Sequence, residues 1–150
     1  MDIRYAQKKD LTEIVALCRA HALFERASYD PTNKSTLLAD ALFGNEPRLR
    51  CLVLEEENRL MGYATFIKQF STWDAAYYMY LDCLFLRESS RGKGWGSLLM
   101  DRVLTIAKKE NCSSMQWQTP DFNSNAIAFY QKLGATSKTK ERFELTIPNL

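Results

Sequence analysis

Two groups of residues in this chain have types and spacing that can do chemistry. The first is Arg91-Gly92-Lys93-Gly94-Trp95-Gly96, three alternate glycines between an apolar run over 77–86 and a helix-like run over 97–108. Glycine lets backbone N–H groups turn toward a ligand with no Cβ in the way. A helix that begins there adds unsatisfied N–H donors and a positive dipole end. Together they predict an anion site, most often one for phosphate. The second is Asp82, the one charge in the run 77–86. A carboxylate buried in an apolar strand needs a partner or a function. It can attract a cationic amine and pass the amine's proton to water, or it can make a structural salt bridge.

The elements that must hold these groups follow from periodicity and punctuation. Residues 3–5 predict a short first strand. Asp10 opens a helix, with Glu13 at capping-box spacing; Leu11, Ile14, Val15, Cys18 and Ala22 share one helical face. The polar and aromatic stretch 23–34 contains Asp30-Pro31 and predicts a loop or helix break. A second helix over 35–43 is stopped by Gly44-Asn45-Glu46-Pro47. Three strands follow: 50–55, then 60–70 with Gly62 as a bulge or close-approach site, then 77–86, apolar enough to be central. A helix over 95–110 places Leu99, Val103, Ile106 and Ala107 on one face. Residues 114–118 form a short strand. Asp121 or Asn123 caps a helix that ends at Gly134, and 143–147 supplies a last strand. The order β-α-α-β-β-β-α-β-α-β, with a hairpin-rich first half and a βαβ unit in the second, predicts one α/β (α+β) domain over 1–150 with a mixed sheet.

Composition narrows the function classes. A chain of 150 residues with 46% hydrophobic and 25% charged residues can bury a core as a single soluble domain. A net charge of +2 gives no electrostatic footprint for nucleic acid. No apolar run reaches the ~18–20 residues that span a bilayer, so no membrane partner is expected. Met1-Asp2-Ile3-Arg4-Tyr5 lacks the apolar core of a secretory signal. Cys18, Cys51, Cys83 and Cys112 are scattered with no CxxC pair, which argues against zinc and against a disulfide framework. They predict buried free thiols in a reducing cytoplasm and no metal.

The glycine loop resembles the [Q/R]-x-x-G-x-[G/A] acetyl-CoA loop of the GNAT N-acetyltransferase superfamily. A second, independent stretch, Asn123-Ser124-Asn125-Ala126-Ile127-Ala128-Phe129-Tyr130-Gln131-Lys132-Leu133-Gly134-Ala135, is similar to that family's N-x-x-A-x-x-F-Y-x-K-x-G-A element. The two occur in the family's order and spacing. Ile3-Arg4-Tyr5-Ala6 followed by Asp10-Leu11 fits its first strand and helix. Within the family, Tyr80-Leu81-Asp82 and Cys112-Ser113-Ser114-Met115 resemble the Y-L-E and C-S-S-M of the diamine (spermidine/spermine) acetyltransferases. Cys83 stands where that subfamily has a second carboxylate, and Asp82 is shorter than its Glu. The resemblance implies a GNAT-like domain with a mixed, mostly antiparallel sheet of about 6–7 strands and about 4 helices.

It also implies roles. The turn Arg91, Gly92, Lys93, Gly94, Trp95, Gly96 and Ser97 would hold the pyrophosphate of acetyl-CoA, the cosubstrate. Leu84, Phe85 and Leu86 would meet its acetyl carbonyl and pantetheine arm through backbone N–H groups, and Asn123 would contact it or cap its helix. Acetyl transfer needs an oxyanion donor, a proton acceptor for the amine and a proton donor for the leaving thiolate. Tyr130 is implied as that donor, since a phenol of pKa ~10 is protonated at neutral pH; Phe129 is read as core. Asp82 is the implied acceptor-side carboxylate. The acceptor pocket is expected from Glu25, Tyr29 and Trp73, with Asp30 and Asp74 as solvated neighbours, because acidic and aromatic groups suit a cation. His21 reads as structural or exposed. The expected enzyme acetylates a primary amine of a small cationic molecule, as a homodimer. The alternatives are acetylation of a protein N-terminus or lysine and, in another class, a non-catalytic acyl-CoA-binding regulatory module.

Overall fold

The structure is a computed structural model and describes residues 1–148. The chain divides into two compact units, Met1–Pro120 and a second that begins at Asp121. The first carries strands β1 (Asp2–Tyr5), β2 (Arg50–Glu56), β3 (Arg59–Ser71), β4 (Ala76–Leu86) and β5 (Met115–Gln116), with helices α1 (Leu11–Phe24), α2 (Lys34–Phe43) and α3 (Trp95–Lys109). The second carries α4 (Ser124–Lys132). The sheet runs β1-β2-β3-β4-β5. Its first three pairings are antiparallel, and β4–β5 is parallel. The α/β class, the four α-helices and the mixed, mostly antiparallel sheet are as expected. Among the described residues the strand count is five rather than six or seven.

Local sequence explains most of these elements. Residues 60–66 of β3 are buried without interruption, the pattern of a strand covered on both faces. On one face Tyr63 joins Ile14 and Leu17 of α1, Leu42 of α2 and Phe85 of β4 in a core cluster. On the other, α3 packs against β2, β3 and β4 and buries Leu99, Met100, Val103 and Ala107, an i, i+1, i+4, i+8 stripe. Glu57 and Asn58 adopt φ of 49° and 63°, which a tight hairpin turn requires of its two central residues. Gly62 is a close-approach position: a Cβ there would come within 2.8 Å of the Phe85 carbonyl oxygen. The β2–β3 register slips beside it, leaving Met61 unmatched.

Three expectations need correcting. Asp10 does not cap α1. Its carboxylate turns back, accepting from the Gln7 N–H (2.7 Å) and from both terminal nitrogens of Arg4 (2.7 and 3.0 Å). Glu13 is not its capping partner either; it accepts from the Leu60 N–H at 2.8 Å. The strand expected over 114–118 contracts to Met115–Gln116. The strand expected over 143–147 does not form: Phe143 (92%), Leu145 (94%) and Ile147 (75%) stay exposed. Alternating apolar residues make a strand only where a ladder accepts their backbone.

Candidate active site

The glycine turn joins β4 to α3, as its sequence requires. Gly92 and Gly94 take φ of 72° and 87°, a conformation L residues adopt at a cost of about 1–2 kcal/mol. Gly94 is the residue on which α3 starts. A Cβ at either position would meet nothing within 4 Å. Glycine is therefore needed for backbone direction, and the space in front of the turn is open. Residues 91–94 are exposed, and Trp95, Gly96 and Ser97 half-buried in the first turn of α3. Arg91 is tied down: its Nε donates to the Leu86 carbonyl at 2.8 Å, and its guanidinium lies 4.4 Å from the Phe24 ring centroid and 5.3 Å from that of Phe85. These cation–π contacts fix the turn to α1 and β4. Lys93 is the neighbouring exposed cation.

Beside the turn, β4 offers backbone. β5 pairs only with Met79 and Tyr80. Past them, residues 81–86 have β3 on one side and, among the described residues, no strand on the other. Leu84, Phe85 and Leu86 lie in this stretch. An open edge is a ready template for a ligand that accepts and donates hydrogen bonds along its length.

Asp82 is where the strand irregularity falls. Thr65 pairs with Cys83 and Phe66 with Leu81, so Asp82 has no partner; it is the extra residue of a β-bulge. The expectation of a buried carboxylate is corrected: Asp82 is exposed. A regular strand would point Asp82 and Cys83 to opposite faces. Here the Cys83 thiol donates toward Asp82 Oδ2 at 3.8 Å. The bulge thus delivers a solvated carboxylate from the middle of a core strand, with no ion pair holding it among the described residues.

Next to the bulge, β3 and α1 supply a floor of polar side chains that the sequence did not connect. His21 Nδ1 and Tyr63 Oη are 2.8 Å apart. Nε2 of the same ring contacts the Glu25 carboxylate, one helical turn on. The imidazole stacks on Phe85, with centroids 5.1 Å apart and planes at 20°. The thiols of Cys18 and Cys83 face the Tyr63 phenol, and Tyr29 faces Cys18. Burial holds these groups neutral. It raises the pKa of Tyr63 and of Cys18, pushes the Cys83 thiol up to about 12, and lowers that of His21 against the pull of Glu25. Glu25, Tyr29 and Asp82 therefore gather around one aromatic and thiol floor. Trp73 does not join them. It stands 96% exposed in the turn before β4, and Asp82 is six residues past the start of that strand, about 20 Å at the rise of an extended chain. Asp30 accepts from the Thr32 N–H in its own turn, and Asp74 from Ser71, which suits solvated loops.

Four reactive side chains were not read as site residues: His21, Tyr63, Cys18 and Cys83. By its spacing Cys18 belongs to the apolar face of α1, and Glu25, one turn past His21, is the signal available in the sequence for the pair. Tyr63 carried none, since an aromatic residue in a strand usually packs. In the second unit, Asn123 Oδ1 accepts from the Ala126 N–H at 3.4 Å, which is N-cap geometry. Gly134 has φ of 93°, as a helix terminator needs. Tyr130 lies on α4, its ring 5.3 Å from that of Phe129.

Among the described residues, no helix is long and apolar enough to cross a membrane, and no three His, Cys, Asp or Glu side chains gather as a metal site needs. Comparisons with known proteins agree with the geometry. The chain is 29% identical to the thialysine N-epsilon-acetyltransferase of Mus musculus, over 92% of this chain and 85% of that protein. It is 25% identical to the spermidine/spermine N(1)-acetyltransferase-like protein 1 of Homo sapiens, over 93% of this chain and 21% of that one. Its fold matches the crystal structure of a tetramutant of the Bacillus halodurans protein BH1408 with TM-score 0.80 at 24% identity, over 98% of this chain and 100% of the other. The acetyltransferase (GNAT) family profile matches residues 9–135, so the chain belongs to that family and is an N-acetyltransferase.

Proposed function

We propose that this enzyme moves the acetyl group of acetyl-CoA to a primary amine of a small cationic molecule, a diamine or an amino acid with an amine side chain, by direct attack in a ternary complex. The observation that carries this reading is the bulge at Asp82. It presents a solvated carboxylate beside the open edge of β4, with Glu25 on the same floor. Two carboxylates over aromatic rings suit an ammonium group. The relatives named for thialysine and spermidine/spermine are named for substrates with such amines.

The chain's residues then have distinct tasks. The N–H groups of Gly92 to Ser97, with Lys93, hold the pyrophosphate. The free edge at Leu84 to Leu86 takes the pantetheine arm and donates an N–H to the acetyl oxygen as it gains charge. Asp82 draws the ammonium in and accepts its proton on the way to water, since an alkyl ammonium of pKa ~10 cannot attack until it is deprotonated. Tyr130 protonates the departing thiolate. The family profile spans residues on both sides of Pro120, which supports reading 1–150 as one catalytic domain. The working form is a homodimer, supported by the exposed Phe70, Trp73 and Tyr77 at the tip of the β3–β4 hairpin; light scattering reads its mass. Release of free CoA thiol over thialysine, spermidine, tyramine and a lysine peptide tests the reaction. Release with the first two and not the peptide supports small-amine acetylation. Release with the peptide alone gives a protein acetyltransferase. No release, with acetyl-CoA shown to bind, leaves a binding module.

A further inference from the structure

We propose that His21 is a positioning residue for the acceptor: buried Tyr63 fixes its tautomer, and its Nε2–H holds the Glu25 carboxylate as the counter-charge that the substrate's cation meets. The inference rests on the small-amine reading above. Tyr63 is 1% exposed, and its phenol has one proton to donate. His21 Nδ1 stands 2.8 Å away; its other neighbours, the Cys18 and Cys83 thiols, are weak acceptors. Burial keeps the phenol protonated. The O–H therefore donates to Nδ1, and the neutral ring carries its proton on Nε2, where Glu25 accepts it. Stacking on Phe85 and an edge contact with Tyr63 (5.9 Å, 72°) leave the ring one orientation. The His21 side chain is 15% exposed and that of Glu25 27%, so the far end of this chain of groups is the one solvent and substrate reach.

The charge of the pair depends on the imidazole. Neutral His21 leaves the pair at −1, which attracts an ammonium. Protonated His21 brings it to zero and turns Nδ1 into a donor, so the Tyr63 O–H must leave it. The charges facing the ring are Glu25 from the C-cap of α1, Asp82 from β4 and Arg91 from the turn; Tyr63 of β3 and the two thiols are neutral. Burial outweighs the carboxylates and sets the imidazole below its usual 6.5. Amine binding should weaken as pH falls through that lowered value.

His21 is the only histidine in the chain, so a long-range 1H–15N spectrum of the labelled full-length protein reports one imidazole. The neutral Nε2–H tautomer at pH 7.5 is expected, with its preference lost in Tyr63→Phe. An Nδ1–H tautomer, or an imidazolium at pH 7.5, overturns the proposal. In kinetics with spermidine, His21→Leu raises KM for the amine tenfold or more and leaves KM for acetyl-CoA unchanged. His21→Gln, whose amide N–H can still reach Glu25, recovers most of the loss. The wild-type amine KM climbs in acid along the imidazole titration, and His21→Gln lacks that limb; should His21→Leu not fold, this limb decides. Turnover with an amine KM that neither variant nor pH moves overturns the role of His21 alone. Absence of turnover with every amine, beside an intact Nε2–H tautomer, overturns the small-amine reading and this role with it.

Discussion

The glycine turn and the proposed acceptor floor lie at the two ends of one stretch of β4, yet they are built in opposite ways. The turn is six consecutive residues, and its chemistry is in the backbone: two positive φ angles and a helix start. The floor is side chains from α1, β3 and β4, with His21 and Tyr63 separated by 42 positions. Backbone sites are specified locally, because glycine placement alone sets which way N–H groups point. Side-chain sites exist only after register, bulge and helix packing are settled, so their specificity can change while the turn stays intact.

If the two ends are separate devices, each can be broken without the other. The largest effect should come from the step that joins them. Tyr130→Phe is expected to lower kcat about 100-fold or more, with both KM values within threefold; steady-state kinetics on both substrates reads this. Asp82→Asn is expected to lower kcat/KM for the amine by tens of fold, about 2 kcal/mol, while calorimetry finds acetyl-CoA affinity unchanged. Gly94→Val should do the reverse. Forcing a branched residue to a φ of 87° weakens acetyl-CoA binding about tenfold, from the 1–2 kcal/mol of left-handed strain, and spares the amine KM. A Cβ there meets nothing within 4 Å, so the melting temperature should fall by no more than the strain of about 1–2 kcal/mol accounts for. Gly62→Ala belongs to neither device. Its Cβ would crowd the Phe85 carbonyl oxygen at 2.8 Å, and urea unfolding should show a loss of about 1–3 kcal/mol.

The remaining expected effect is a pH-dependent one at the opposite end of α1 from Glu25. Hydrogen bonding from Arg4 holds the Asp10 carboxyl below its usual 3.8. The folded state therefore binds fewer protons than the unfolded one between the two values. The stability this contributes is present above pH 3.8 and is lost as pH falls through the lower, folded value. Unfolding curves of the wild type and Asp10→Asn should differ by about 1–2 kcal/mol at pH 7 and converge in acid, with acetyl transfer at pH 7.5 unchanged.

What was legible follows the same division. The start of α3 at the glycines, the Asn123 cap and the Gly134 stop rest on local backbone demands, and Gly62 is marked by its missing side chain although the carbonyl it faces belongs to β4. The spacing of Asp10 to Glu13 is also local evidence and points to the wrong partner: Arg4, six residues upstream on β1, is a charged donor and outcompetes the uncharged N–H groups of the helix start. The bulge at Asp82 needs the β3 and β4 registers together: Thr65 pairs with Cys83 and Phe66 with Leu81, a one-residue slip no single strand reveals. Residues 143–147 alternate as a strand should and have no ladder to join. The His21–Tyr63 contact, finally, depends on how α1 lies across β3, which residue spacing does not encode.

The central claim is that the carboxylate on the β4 bulge serves the acceptor while the glycine turn serves acetyl-CoA. Thiol release with spermidine or thialysine, run on wild type and Asp82→Asn with acetyl-CoA affinity measured on the same samples, tests it most directly. Amine-dependent release in the wild type, a large loss in the variant and equal acetyl-CoA affinity in both are predicted. Equal release by both proteins, or release lost only because acetyl-CoA no longer binds, would contradict it.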